Sequence, residues 1–228
     1  MTTTSHQRFP APSTLAGLFV ALILPCLITF GSHLYYVGSA SIARTAASEA
    51  ALWANFLLLI GIVLFIEKRQ LASIGLRPLR WWILPLGVLA GVISGGVFRL
   101  AYVLMIKLGI TPNETAVKAI ISLPLTMRIV LVLTAAVVEE TLFRSYPIER
   151  FTEISGNKWV AGSITLIVFT VAHVPFWGAA QMIPTFAGSI FITLLYLWKR
   201  DLMLNIVAHL VVNGIGLILV PALLHRVS

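Results

Sequence analysis

Seven side chains in this 228-residue sequence have the types and the spacing to do chemistry. Glu139 and Glu140 sit side by side in the apolar run RIVLVLTAAVVEETLFR, and Arg144 follows Glu140 by four positions. His173 follows Phe169 by four in LIVFTVAHVPF, and His209 precedes Asn213 by four in LNIVAHLVVNG. A spacing of four puts two residues on one helix face. Glu140 and Arg144 can therefore pair, which offsets part of the cost of burying both charges. Glu139 is turned about 100° from Glu140 on a helix and is left available for other work.

The combination suits amide hydrolysis. A desolvated carboxylate is suited to general-base work, a neighbouring imidazole can share the proton of a water, and an Asn amide beside a second imidazole can donate hydrogen bonds to a developing oxyanion. No Ser occupies a GxSxG setting and Cys26 has no basic partner, so a covalent nucleophile is disfavoured. Each piece also has a plainer reading. The glutamates could simply pair with arginines. His173 could be a satisfied core histidine, and His209 with Asn213 could be an interhelical hydrogen-bonding pair worth roughly 0.6–2 kcal/mol. A metal reading stands beside these: Glu139, His173 and His209 would make a zinc set with a fourth position open for water. Against it, HExxH is absent and Arg144 would oppose a cation. No cofactor is firmly expected, with a divalent metal such as zinc as the alternative.

The elements that position these groups are membrane helices. Hydrophobic residues make up 59% of the chain and charged ones only 11%, where soluble domains carry about 25%, and the mean hydropathy is +0.98. Apolar runs of about 17–25 residues indicate transmembrane helices. The expected fold is all-α, a polytopic transmembrane bundle of about seven spans (six to eight) with a catalytic cavity inside the membrane. The spans are expected near 14–36, 50–66, 82–106, 126–146, 158–176, 181–198 and 202–224, as one domain covering 1–228. An acidic side chain at the centre of such a span costs roughly 2.5–3.5 kcal/mol, so two adjacent glutamates imply a job.

A net charge of +8 does not indicate nucleic acid, because the basic residues sit mostly in short loops. Nine Lys and Arg on one side against five on the other place the N-terminus in the cytoplasm. The loop EKRQLASIGLRPLR at 67–80 is the most basic and is expected to rest on an anionic leaflet. Trp81, Trp82, Trp159, Trp177 and Trp198 fall near span ends, as interfacial anchors do. The first span could instead be a signal peptide, with Arg8 before it and small residues around Gly38–Ala43 after it, but its apolar run is long for one.

With EETLFR at 139–144, FTVAH at 169–173 and HLVVN at 209–213 in that order, the chain resembles the CPBP (CAAX-protease and bacteriocin-processing, or Abi) family of intramembrane endopeptidases. These are related to type II CAAX prenyl endopeptidases, and their pattern is EExxxR, FxxxH and then HxxxN or HxxxB. The resemblance covers about 126–220 as a catalytic core. Residues 1–125 contribute N-terminal spans and an IGLRP stretch at 74–78 that looks like the family's loop before the core. It implies Glu139 as base with His173 as its partner, His209 and Asn213 on the oxyanion, and Glu140, Arg144 and Phe169 in support. It also implies a membrane-associated protein or peptide substrate, lipid-modified in some members, in the cell membrane. The family has been described both as glutamic-type and as metalloprotease, so the metal alternative persists. The sequence departs from the family where Ser145 follows Arg144 and Pro147 comes soon after, which could kink or end the fourth span or leave it running on past the proline. The competing functions are a non-enzymatic membrane binding or bacteriocin self-immunity protein and, more remotely, a proton-coupled transporter.

Overall fold

The computed structural model describes residues 10–35 and 42–224. Arg8, Arg226 and most of the segment at 38–43 lie outside the described residues. Among those described there are helices and no strands. Among the described residues six helices are long and apolar enough to cross a membrane: α1 (Pro12–Gly31), α2 (Ile42–Ile66), α3 (Ile83–Lys107), α6 (Lys158–Trp177), α7 (Ala179–Lys199) and α8 (Leu202–Leu223). Between α3 and α6, the short α4 (Glu114–Ile121) and the long α5 (Leu125–Ser155) meet at 114° and pass that test together.

The architecture is therefore the polytopic helical bundle expected, with two corrections to the boundaries. Helix α2 begins at Ile42, eight residues before the expected start, which brings Glu49 into the span. The fourth span does not stop at 146. Its α-helical start, Leu125–Thr134, opens into a π-helical stretch over Ala135–Ser145 and returns to α-helix over Tyr146–Ser155. Tyr146 N–H still reaches five residues back to the Thr141 carbonyl. Pro147 has no N–H to continue that pattern, so the wide register ends there and the helix runs on. It stops at Gly156, whose φ of 68° supplies a left-handed cap.

Helix α5 is the axis of the bundle. On one side Val138, Leu142 and Tyr146 pack with α1 (Val20, Leu22), α2 (Leu59, Val63) and Phe169 of α6. On the other, Ala136 packs with Leu202 and Ile206 of α8. Helix α8 is in turn seated on α3 and α7 through Ile83, Ile192, Leu204 and Ala208. The α3–α8 approach needs glycine. A Cβ on Gly91 would stand 2.5 Å from the Ala208 carbonyl oxygen and 2.7 Å from Val211 Cβ, and one on Gly87 would stand 2.6 Å from Val207 Cγ1. Small residues four apart let membrane helices touch backbone to backbone, and this contact sets the depth and rotation of α8.

Two ionic sets, one buried and one partly exposed, fasten the far end of α5. Arg150, with 0% of its side chain exposed, pairs with Glu67 at 2.7 Å and also donates to Ser73 Oγ at 3.2 Å. Tyr146 Oη donates to the same Glu67 at 2.8 Å. Glu149 pairs with Arg200 and accepts from Tyr196 Oη at 3.1 Å. Arg150 is thus an interior residue tying the 67–74 segment to α5. The Arg200–Asp201 turn joins α7 to α8, and Asp201 caps α8 by accepting from the Leu204 N–H at 3.1 Å. Trp81, Trp159 and Trp198 are strongly exposed near helix ends, and Trp198 stacks with Lys199 at 3.8 Å.

Candidate active site

The EETLFR segment lies wholly in the π-helical stretch of α5. Shorter π-helical stretches occur at Phe19–Ile23, Ile62–Ile66 and Ile215–Leu219, and this one runs for 11 residues. The two glutamates it carries have opposite surroundings. Glu140 has 0% of its side chain exposed. Its Oε1 accepts from Arg144 Nη1 at 2.5 Å and from His209 Nδ1 at 2.6 Å, and its Oε2 accepts from Asn205 Nδ2 at 3.0 Å. A charge removed from water is tolerated when its lone pairs are filled in this way. Glu139 is half-buried and makes no hydrogen bond or ion pair among the described residues.

His173 stands at the end of the regular part of α6. Its Nδ1 is 2.8 Å from the Phe169 carbonyl oxygen. A carbonyl only accepts, so Nδ1 carries the proton and, in the neutral ring, Nε2 holds the lone pair. The imidazole lies against the Phe169 ring, centroids 4.5 Å apart, and the Arg144 guanidinium covers that same phenyl ring at 4.1 Å. Phe169 therefore joins the first motif to the second physically. Glu139, His209 and Arg144 are all near enough to act on His173 electrostatically.

His209 is buried on α8 and meets Glu140 through Nδ1. Since the carboxylate accepts, Nε2 is again the nitrogen that remains for a ligand. Asn213 lies one turn further along the same helix, half-buried, with no hydrogen bond among the described residues. Three of the seven sequence candidates (Glu140, Arg144 and His209) are thus one bonded cluster. Phe169 and His173 adjoin it through Arg144, while Glu139 and Asn213 flank it without hydrogen-bond partners among the described residues.

Two polar residues of this region are absent from the sequence-based set. Asn205 stands one turn before His209, so Asn205, His209 and Asn213 form a polar ladder at intervals of four that was legible as such. Glu49 of α2 is buried beside the Thr134 hydroxyl and close enough to act on Glu139, with one carboxylate oxygen lacking a partner among the described residues. Trp53, one turn along α2, donates its indole N–H to Thr134 Oγ1 at 2.9 Å. The signal for Glu49 was an acid in an apolar run, hidden because the span was drawn from residue 50.

Among the described residues no three His, Cys, Asp or Glu side chains gather into a set that could hold an ion. Glu139, His173 and His209 therefore do not form a ready three-ligand centre, and no chemical step is routed through a metal below.

Comparison with known proteins agrees with the motifs. No curated protein and no solved structure matches the chain. Residues 120–215 match the family model described as type II CAAX prenyl endopeptidase Rce1-like, and this segment holds all three motifs and the bonded cluster.

Proposed function

We propose that the chain is an integral-membrane endopeptidase that hydrolyses a peptide bond of a membrane-associated protein or peptide with water activated by Glu139 and His173. The observation that carries this reading is the division of labour between the glutamates. Glu140 is saturated by three partners, whereas Glu139 keeps its carboxylate uncommitted beside His173.

In the proposed sequence, a water hydrogen-bonds to Glu139 and to the His173 Nε2 lone pair. Glu139 takes its proton as the oxygen attacks the scissile carbonyl carbon. The carbonyl oxygen becomes an oxyanion, which accepts hydrogen bonds from the Asn213 amide and from His209 Nε2–H. His209 can donate there only as the imidazolium, because its Nδ1–H is already given to Glu140. Glu140 serves as the counter-ion of that charged ring, and Arg144 keeps the carboxylate in place. Collapse of the tetrahedral intermediate breaks the C–N bond, and the proton held by Glu139 passes to the leaving nitrogen.

The substrate class follows from the setting. A scissile bond must reach helices that lie in a bilayer, so the substrate is anchored there by a lipid chain, a leader segment or a C-terminal sorting helix. The location is the cell membrane, with the N-terminus in the cytoplasm. The test is reconstitution of the purified chain in liposomes with C-terminal peptides carrying or lacking an isoprenyl group, alongside membrane-anchored leader and sorting-helix peptides. Mass spectrometry of new termini should show cleavage of an anchored peptide at one bond. Binding of such peptides without any cleavage would favour a non-enzymatic binding or immunity role instead.

A further inference from the structure

Asn205 has no place in the three motifs, yet it is buried where they meet. Its side chain is fully enclosed. Both protons of its amide are used: Nδ2 donates to Glu140 Oε2 of α5 at 3.0 Å and to the Ile192 carbonyl of α7 at 3.0 Å. Asn205 itself belongs to α8, so one amide joins three helices. Its orientation is fixed by chemistry, because the flipped amide would set an acceptor against two acceptors. The cost is visible in Asn205 Oδ1, which is buried without a hydrogen-bond partner among the described residues. A position that leaves one polar atom unmatched in order to present two donors is specified for donation.

The consequence reaches His209. A carboxylate turns readily about its last torsion. With Oε2 tethered to Asn205, Glu140 must direct Oε1 at Arg144 and at His209 Nδ1. That contact holds the proton on Nδ1 and aims Nε2 away from the ion pair. We infer that Asn205 is a positioning residue which, by fixing the Glu140 carboxylate between α5, α7 and α8, holds the Nδ1–H of His209 on Glu140 and sets the aim of its ring. The catalytic side of this inference rests on the proposed function, since His209 matters there as an oxyanion donor. The geometric side does not.

The experiment uses the full chain in liposomes and two substitutions. Asn205→Leu removes both donors at similar volume. The expected result is a kcat about 10- to 100-fold below the wild type, the scale on which a misplaced catalytic group acts, with KM within about twofold. Asn205→Asp keeps the shape and can donate only when protonated, so its activity relative to the wild type should rise as the pH is lowered. Histidine-selective nitrogen NMR supplies a readout independent of turnover. The His209 ring signals, identified by their loss in His209→Gln, should shift in Asn205→Leu while those of His173 stay. Wild-type kcat together with unshifted His209 signals would overturn the inference. If the wild type cleaves nothing, the proposed function fails, and the NMR shift alone decides the positioning role. If Asn205→Leu does not yield folded protein, the ring signals and pH profile of Asn205→Asp decide it.

Discussion

His209 Nδ1 lies 2.6 Å from Glu140 Oε1, a contact between residues 69 apart in sequence that locks α8 to α5. It makes Glu140 the shared acceptor of the site, serving Arg144 on its own helix and both His209 and Asn205 on α8. Glu139, its neighbour in sequence, has none of these partners. The adjacent acids are therefore expected to respond differently to substitution.

Stability separates them first. Glu140→Ala leaves Arg144 as a buried charge without its ion-pair partner, and breaking a buried pair in this way costs about 3–5 kcal/mol. Glu139→Gln removes no hydrogen bond or ion pair among the described residues and should stay within about 0.5 kcal/mol of the wild type. Unfolding in a fixed detergent, followed by far-UV circular dichroism, checks both. Equal losses would mean that Glu139 is a structural residue as well.

The glycine face of α3 gives a second prediction. Gly91→Val places a side chain where a Cβ alone would lie 2.5 Å from the Ala208 carbonyl. The helices must separate, so α8 moves and carries His209 away from Glu140. The expected effect is a loss of at least about 2 kcal/mol of stability, in the range of overpacked cores, with cleavage reduced in parallel. Gly96→Ala is the control, because nothing lies within 4 Å of a Cβ there. Retention of full cleavage in Gly91→Val would show that the α3–α8 contact does not position the site.

Chelation gives a third. Water activated by Glu139 and His173 needs no cation, so cleavage should be unchanged after prolonged incubation with a strong chelator. Loss of activity that zinc restores would contradict that mechanism and favour a metal held by side chains that move together on substrate binding.

Much of this was legible in the sequence because membrane burial makes polar residues expensive. Glu140 with Arg144 was readable from spacing alone, and the pair stands at 2.5 Å. The number and type of spans followed from apolar run length. What was not legible depended on register and on contact between helices. The π-helical stretch over Ala135–Ser145 defeats a uniform turn of 3.6 residues, while the helix runs on past Pro147, one of the two outcomes expected there. The partners of Glu140 on α8 required knowing how α3 seats α8, which depends on backbone contacts at Gly87 and Gly91 that no periodicity reports. The burial of Arg150 shows only once Glu67 and Ser73 are seen to enclose it.

The most direct test of the central claim is the turnover of a membrane-anchored peptide by Glu139→Gln in liposomes, measured beside the wild type at equal amounts of folded protein. Without its base the reaction should slow by about 10²–10⁴-fold, the usual contribution of general-base catalysis, while peptide binding is retained. A variant that cleaves at the wild-type rate would contradict the assignment of Glu139 as the group that activates water.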